Sequence, residues 1–413
     1  MATTGRRERA AGLAALLCVA VTACGQSAPH AAGSRPRSPV TGRPSVSARP
    51  AQPATASPSG TAAAGSGAGS QAVSAPRFCQ ARQASVAAVL GRVVPNSGRS
   101  EFVPLGAAPG GRSAFVAAWT PAFSGVAELH LGSGRLQPIR RFASAASDQA
   151  DGVASGRWLV WAQTYSLSSL DRFTIYAYDA GSRQTREIGH SLSGPGGTAW
   201  PSPWHAPAVS GNYAAWAQGY GPGGLVEIRL ASLATGVVTT IARGHVQPPF
   251  FDGRLVVWPQ SDTPGSQTAL RAYSLATRTA AALPPVLTAI RGTDVVVTDG
   301  TRTAYLSPDF TRLYYSPGQD VRARLAVRLP AGADFTDLAL APGALAWTTS
   351  AATYLASTRT GAFVQVTPAY GYATGSSSVM LITDAPDGKA AHPALPTYVI
   401  DPASYAWPAC ATG

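Results

Sequence analysis

The chain has little charge, almost no lysine and no apolar run long enough for a membrane helix, and each shortage narrows the possibilities. Only 13% of its 413 residues are charged, and Lys389 is its single lysine. The apolar run at residues 10–23 is too short to cross a bilayer as a helix. Arginines are not interleaved with aromatic residues in any cluster, so no nucleic-acid partner is predicted.

The net charge of +12 is less informative than its size suggests. Residues 1–76 contain seven arginines and one glutamate, and the remaining part contains 25 basic and 19 acidic residues. An excess of six positive charges over residues 77–413 is ordinary. The composition is instead marked by 43 glycines and 34 prolines, which favour many short strands joined by turns over long helices.

The N-terminus has the pattern of a secretory signal that ends at a cysteine. Arg6, Arg7 and Arg9 precede the apolar run, which ends in Val-Thr-Ala before Cys24. This ending resembles the bacterial lipobox, which implies a signal peptide at residues 1–23 and a diacylglycerol lipid on Cys24. An ordinary signal followed by an unrelated cysteine is the alternative. The arginine pair is followed by charged residues, which favours the general secretory route over the twin-arginine route.

Residues 24–76 are predicted to be a disordered tether between the lipidated cysteine and a folded domain. The segment is rich in Ala, Ser, Gly, Pro and Thr and has no aromatic residue, so it cannot bury enough apolar area to fold. Two acyl chains are enough for stable anchoring. We therefore expect the protein at the extracytoplasmic face of a cell membrane, with membrane lipid as its first partner. Contact between the tether arginines and anionic headgroups is a further possibility.

The cysteines predict one disulfide bond. Cys18 lies in the signal and Cys24 is assigned to the lipid, which leaves Cys79 and Cys410. Two cysteines outside the cytoplasm normally pair. These two stand at the start and end of the folded region, so the bond predicts a fold whose termini meet. Two free buried thiols are the alternative.

One pattern recurs from residue 101 onward: a glycine turn, a strand that ends near a tryptophan, a loop and an alternating strand. Such alternation of β-branched and aromatic residues is typical of strands. The clearest copies begin at residues 156, 211 and 252, and weaker ones contain GRSAFVAAW, GTDVVVTD with TAYL, and PGALAWTTS with TYLAS.

The spacing of these tryptophans predicts an all-β fold, a single β-propeller over residues 77–413 after the disordered tether. Intervals of 42, 55, 42 and 89 residues separate Trp119, Trp161, Trp216, Trp258 and Trp347, and a period of 40–45 residues with four strands is typical of propeller blades. Seven blades are expected, with six or eight left open. Over residues 101–408 the copies resemble TolB-like and related WD-type propellers. In that fold the disulfide would join the first and last blades.

A ligand site is expected on the face where the longer loops emerge. These loops join second to third strands or one blade to the next, and long loops on a rigid scaffold often bind ligands. The candidate ligand-binding residues near this face are Trp200, Trp204, His205, Gln163, Gln218, Gln260, Tyr165 and Tyr220. Amides and aromatic rings suit a sugar or a peptide. Alternatively, the glutamines bond to the backbone of the next blade and the repeat tryptophans pack between blades.

The recognisable catalytic motifs are absent from the sequence. GYGPGG at residues 219–224 matches a dinucleotide fingerprint but joins two strands, and the histidines lack metal-ligand spacing. We therefore predict no catalytic residue, no metal and no cofactor. The expected function is a membrane-anchored binding or protein-assembly module, with a cell-envelope glycan or a protein as partner. The alternative is a propeller glycosidase or lactonase, which requires carboxylates that converge in the central channel. A sensor role is disfavoured because no transmembrane helix is predicted.

Overall fold

The computed structural model describes the folded region except for several short segments. The described residues are 77–81, 92–94, 101–145, 147–166, 171–203, 206–264, 266–330, 333–367, 371–375, 379–384 and 397–410. The predicted signal at 1–23, Cys24 and the tether at 24–76 lie outside them. All described residues belong to one structural unit.

The described chain is almost entirely antiparallel β-sheet, arranged as seven four-stranded units that follow one another along the sequence. The first four units run from the first to the fourth strand in chain order. Their strands are β3 (Glu101–Ala107), β4 (Ser113–Trp119), β5 (Ser124–His130) and β6 (Leu136–Arg141); β7 (Gln149–Ser155), β8 (Trp158–Thr164), β9 (Phe173–Asp179) and β10 (Gln184–His190); β11 (Ala208–Ser210), β12 (Tyr213–Gly221), β13 (Leu225–Ser232) and β14 (Val238–Val246); β15 (Phe250–Asp252), β16 (Leu255–Ser261), β17 (Ala269–Ser274) and β18 (Thr279–Ala281).

The last three units include two strands from the N-terminal end of the domain. Their strands are β19 (Val296–Thr298), β20 (Thr303–Leu306), β21 (Arg312–Ser316) and β22 (Arg324–Arg328); β23 (Phe335–Ala341), β24 (Ala344–Thr349), β25 (Thr353–Ser357) and β26 (Ala362–Thr367), with β1 (Cys79–Gln80) added beside β26; β27 (Gly371–Gly375), β28 (Met380–Asp384), β29 (Thr397–Ile400) and β2 (Arg92–Val94). The one helix among the described residues, α1 (Pro285–Thr288), follows the fourth unit. No described helix has the length and apolar character to span a bilayer.

The seven units form a closed ring, so the fold is a seven-bladed β-propeller. The first strand of each blade contacts the first strand of the next, and β27 of the last blade contacts β3 of the first. These seven first strands surround a central channel. The prediction of an all-β propeller is confirmed, and the number of blades is the one that the tryptophan spacing favours.

The N-terminal segment, rather than the disulfide, completes the last blade. Strand β2 pairs antiparallel with β29 as the fourth strand of the seventh blade. Strand β1 pairs parallel with β26 of the sixth blade, and its Cys79 is bonded to Cys410 with the Cα atoms 5.6 Å apart. The disulfide is present, but it ties the two chain ends at the sixth blade, so the expected position between first and last blades was wrong. The physical reason is that the N-terminal chain passes along the sixth blade before it reaches the seventh.

Tight glycine turns explain why the repeats form hairpins. Two-residue turns join the first and second strands of the second and third blades, and they place Gly156 at φ 57° and Gly211 at φ 55°. Two-residue hairpin turns need positive φ because only such turns match the twist of the strands, and glycine adopts it without steric cost. The turn positions noted in the sequence therefore fix the hairpin register.

The core consists of the apolar layers between neighbouring blades. Trp161, Trp216 and Trp258 each pack toward the preceding blade, where Trp216 lies against Gly189. Trp119 packs toward the following blade, so it is not an equivalent position. The weaker copy GTDVVVTD lies on the first strand β19, whereas the clearest copies lie on second strands. The fifth blade has no tryptophan in its second strand β20 that would have marked this difference.

Candidate functional site

The two faces of the ring differ in the length of their loops. The first face is defined here as the one that carries the connections between second and third strands and between blades. It bears the long connections at residues 165–172, 191–207 and 262–268, whereas tight turns such as residues 180–183 lie on the opposite face. The predicted loop at 219–224 is shorter than expected because β12 extends to Gly221. The uneven distribution of loop lengths still favours the first face as the location of a ligand site.

Two carboxylates occupy equivalent positions on first strands near this face. Asp151 is the third residue of β7 and pairs with Ala162, which follows Trp161. Asp337 is the third residue of β23 and pairs with Thr348, which follows Trp347. First strands begin at the first face because the connections between blades arrive there. Both aspartates therefore lie toward that end of the channel.

The two aspartates interact electrostatically across the channel. Burial raises the pKa of Asp337 to about 7, and the negative charge of Asp151 adds to this rise, while the amide of Leu338 opposes it by donating a hydrogen bond of 2.7 Å to Asp337 Oδ1. Asp151 and Asp337 belong to the second and sixth blades, which are not neighbours in the ring. A protonated acid and a second carboxylate near neutral pH can donate and accept hydrogen bonds or protons.

Gln163 and Tyr165 belong to one hydrogen-bond network between the first two blades. Gln163 is 1% exposed, its Oε1 accepts from Arg140 Nε at 3.3 Å, and its Nε2 donates to Asp148 Oδ2 at 3.2 Å. Arg140 also donates to the hydroxyl of Tyr176 at 2.8 Å and lies over its ring, and Tyr165 contacts the same hydroxyl. Burial, helped by Tyr165, raises the pKa of Tyr176 to about 12. The network joins the two blades through side chains instead of the expected backbone groups.

Gln218 contributes to a second network, which is formed by side chains of the third blade alone. Its Oε1 accepts from the indole of Trp216 at 2.9 Å and its Nε2 donates to the buried Glu227 at 3.1 Å. Glu227 also accepts hydrogen bonds from Arg229 and Arg243, both at 3.1 Å. The guanidinium of Arg243 lies 5.3 Å from the ring centre of Tyr220. Gln218 is 2% exposed, so its amide is engaged within the fold.

Trp200 lies in a connection that packs on the end of β12. Its ring packs on Gly194, and Ser202 next to it accepts a hydrogen bond from the amide of Gly219 at 2.8 Å. The amide of Ser202 donates to Asp171 at 3.1 Å, which ties this connection to the loop after β8. Trp200 is half-buried at the first face. Trp204 and His205, the other candidates in this connection, lie outside the described residues.

Gln260 lies apart from these networks. Its Oε1 accepts from the indole of Trp258 at 3.2 Å, and its side chain borders a cavity beside the fourth blade. The described residues contain no group of three or more His, Cys, Asp or Glu side chains that could hold a metal ion. The predicted site residues that the structure describes are thus distributed over the second, third and fourth blades, and the channel aspartates were not among them.

A solved structure with a similar fold supports the architecture. An oligogalacturonate lyase in complex with manganese aligns with a TM-score of 0.51 at 10% identity, over 79% of this chain and 97% of that chain. The chain has the fold of a β-propeller. A prolyl endopeptidase aligns at 0.49 and 12% identity over 79% of this chain, which spans only 50% of that enzyme. A protein named as TolB from Agrobacterium tumefaciens aligns at 0.34 and 16% identity, over 73% of this chain and 90% of that one.

These similarities describe the fold alone, because the identities are low and fold does not determine function. No protein-family model matches the chain. No curated protein sequence matches it either. An argument about function therefore has to rest on the residues of this chain.

A sequence signal for the channel aspartates exists, although the repeat analysis missed it. Asp151 stands ten residues before Trp161, and Asp337 stands ten residues before Trp347. In the third and fourth blades the same position holds Ala206 and Pro248. Alignment of the repeats on their tryptophans would therefore have placed two carboxylates on equivalent first-strand positions.

Proposed function

We propose that this protein is a lipid-anchored, extracytoplasmic propeller that binds a glycan or a peptide at its first face, over the end of the channel that holds Asp151 and Asp337. The observation that carries the proposal is the pair of carboxylates at equivalent first-strand positions on the face with the long loops. A carboxyl and a carboxylate together can donate to and accept from the hydroxyl and amide groups of such ligands.

A binding panel tests this site. The full mature chain, purified in detergent, would be offered soluble peptidoglycan fragments, neutral and acidic oligosaccharides, and peptides. Asp337→Asn should weaken the best binder by about tenfold or more, because a hydrogen bond to a charged or acidic group is lost. Asp320→Asn is the control, because Asp320 is exposed between β21 and β22, on the opposite face. Equal affinities of wild type and Asp337→Asn would remove the channel from the proposal.

The membrane location is proposed from the sequence and has its own test. A Cys24→Ala variant lacks the thiol that would carry the lipid, and two acyl chains are what hold such a protein on a membrane. We expect this variant in the culture medium and the wild type in the membrane fraction. Membrane fractionation of Cys24→Ala would contradict the anchor, whatever the result of the binding panel.

A glycoside or lactone hydrolase is the second candidate function, and one observation favours it. Asp337 has a pKa near neutrality beside a second carboxylate, which is how one carboxyl group is kept as an acid while its partner acts as a base or nucleophile. Incubation of the same oligosaccharides with wild type, Asp151→Asn and Asp337→Asn distinguishes catalysis from binding. A hydrolase should release products in the wild type alone, at a rate that falls as pH rises through about 7. Ligand that is bound but recovered intact supports the binding function.

A further inference from the structure

The fourth blade has an incompletely covered outer edge. Its fourth strand β18 has three residues and pairs only with residues 272–274 of β17. Pro284 and Pro285 follow shortly afterward, and proline has no amide hydrogen with which to continue a ladder. The chain turns into α1 and returns to β17 at one bridge between Ala269 and Arg291. The edge between these two contacts is left open.

A cavity of about 520 Å³ occupies this opening, within the range of small-molecule sites. It lies between the fourth strand of the third blade, represented by Ile241, and the edge of β17. Two arginines line it and no carboxylate does. Its lining residues are Ile241, Trp258, Gln260, Ala269, Leu270, Arg271, Ala272, Tyr273, Ala280, Ala281, Leu283, Thr288 and Arg291.

The two arginines differ in how they are held. Arg291 donates through one terminal nitrogen to the carbonyl oxygens of Thr288 and Ile290, which fixes its guanidinium against the loop after α1. Arg271 is exposed and forms no hydrogen bond or ion pair with any residue in the described part of the chain. Its planar guanidinium is therefore available for two parallel hydrogen bonds to an anion.

The remaining walls are suited to an apolar body with one further polar contact. Leu270, Leu283 and Ile241 supply apolar surface, and Trp258 supplies an aromatic ring. Gln260 accepts from Trp258 through its oxygen, so its amide NH₂ group remains a donor beside the cavity. A positively charged end and an apolar wall together match a molecule with an anionic head and an apolar body.

We propose that this cavity binds a small organic anion, with Arg271 and Arg291 contacting the anionic group and the apolar wall contacting the rest. The site lies on the outer part of the fourth blade and is independent of the channel function proposed above. Arg291 is already held in place, so binding costs less conformational entropy than two free arginines would require.

Matched probes on the full mature chain test the head group and the body separately. Calorimetric titration would compare 4-phenylbutyrate, its neutral amide 4-phenylbutanamide, and phenyl phosphate. The carboxylate should bind with saturation and the amide about tenfold or more weakly, because charge-assisted hydrogen bonds are the stronger ones. Stronger binding of phenyl phosphate would support the same site with phosphate as the head group.

Arginine variants locate the binding. Arg271→Gln should weaken the carboxylate about tenfold or more and leave the amide unchanged. Arg254→Gln is the matched control, because Arg254 is exposed in the same blade at the turn before β16, on the opposite face. Thermal unfolding verifies that each variant is folded, and Asp337→Asn should bind the probe normally. Equal binding of carboxylate and amide, no saturable binding of any probe, or an unaffected Arg271→Gln variant would overturn the proposal.

Discussion

At the scale of single residues, the most informative group is Asp337, because burial in the assembled ring and, to a smaller extent, the charge of the distant Asp151 raise its pKa. Its pKa near 7 results from burial and from the charge of Asp151, which lies four blades earlier in the chain. A sequence pattern confined to one repeat cannot show the electrostatic effect of a residue in another blade. By contrast, the packing role of the repeat tryptophans was open to prediction, because large aromatic residues that alternate with small ones indicate a buried face.

The raised pKa predicts that Asp337 destabilises the folded protein at alkaline pH. The folded state holds this proton up to pH of about 7, whereas the unfolded chain loses it near 3.8. Stability should therefore decrease as pH rises from about 4 to about 7, and the full loss should remain above that range. Asp337→Asn stays uncharged, so it should match the wild type near pH 4 and exceed it at pH 8 by at most about 4 kcal/mol.

Urea unfolding at pH 4, 6 and 8 measures this effect. Asp320→Asn again provides the comparison, because Asp320 is exposed between β21 and β22, away from the channel aspartates. A constant stability difference between wild type and Asp337→Asn across this pH range would mean that Asp337 has an ordinary pKa.

At the scale of strands and loops, the glycine turns were predictable and the packing of the connections was not. Glycine at the turn between first and second strands acts locally, so the sequence alone indicates a hairpin there. The connection at residues 191–203 is held by Gly219, whose role depends on a loop that approaches from another blade. A Cβ atom on Gly219 would lie 2.2 Å from the carbonyl oxygen of Pro201. In the sequence, Gly219 was noted only as part of GYGPGG, which matches a dinucleotide-binding fingerprint but joins two strands.

Gly219→Ala should therefore displace the connection that carries Trp200. The added methyl group meets backbone, which cannot move aside as a side chain can, so we expect a loss of about 2 kcal/mol. Limited proteolysis should cut within residues 191–203 faster in this variant, and urea unfolding should give the loss in stability.

Gly221→Ala is the matched control for this change. Gly221 lies in the same strand, and a Cβ there would have its nearest contact at 3.7 Å with the side chain of Leu225, an ordinary distance. Its proteolysis should equal that of the wild type. Equal effects of the two substitutions would show that close packing of the connection on β12 is not what holds it.

At the scale of the whole molecule, the sequence indicated a closed ring but not how the ring closes. The tryptophan period and the two terminal cysteines were visible, since both are features of residue spacing. The closing strand β2 has only three residues, and its partner β29 lies about 300 residues later in the chain. Such a short segment carries no pattern that could identify its partner.

The closure has two separate components, strand pairing and the disulfide, and removal of the disulfide separates their contributions. A Cys79→Ser, Cys410→Ser variant keeps β1 and β2 in their sheets, so the folded structure should persist with an unchanged circular dichroism spectrum. Its unfolded chain is freed from a cross-link that spans 331 residues, which in the chain-entropy model lowers stability by at most about 6 kcal/mol. Reduced wild type should unfold at the same urea concentration as the double variant, because both lack only the cross-link. A double variant as stable as the oxidised wild type would mean that the sheet pairing of β1 and β2 already confines the chain ends. A double variant that fails to fold would mean that the sheet pairing of β1 and β2 depends on the disulfide bond.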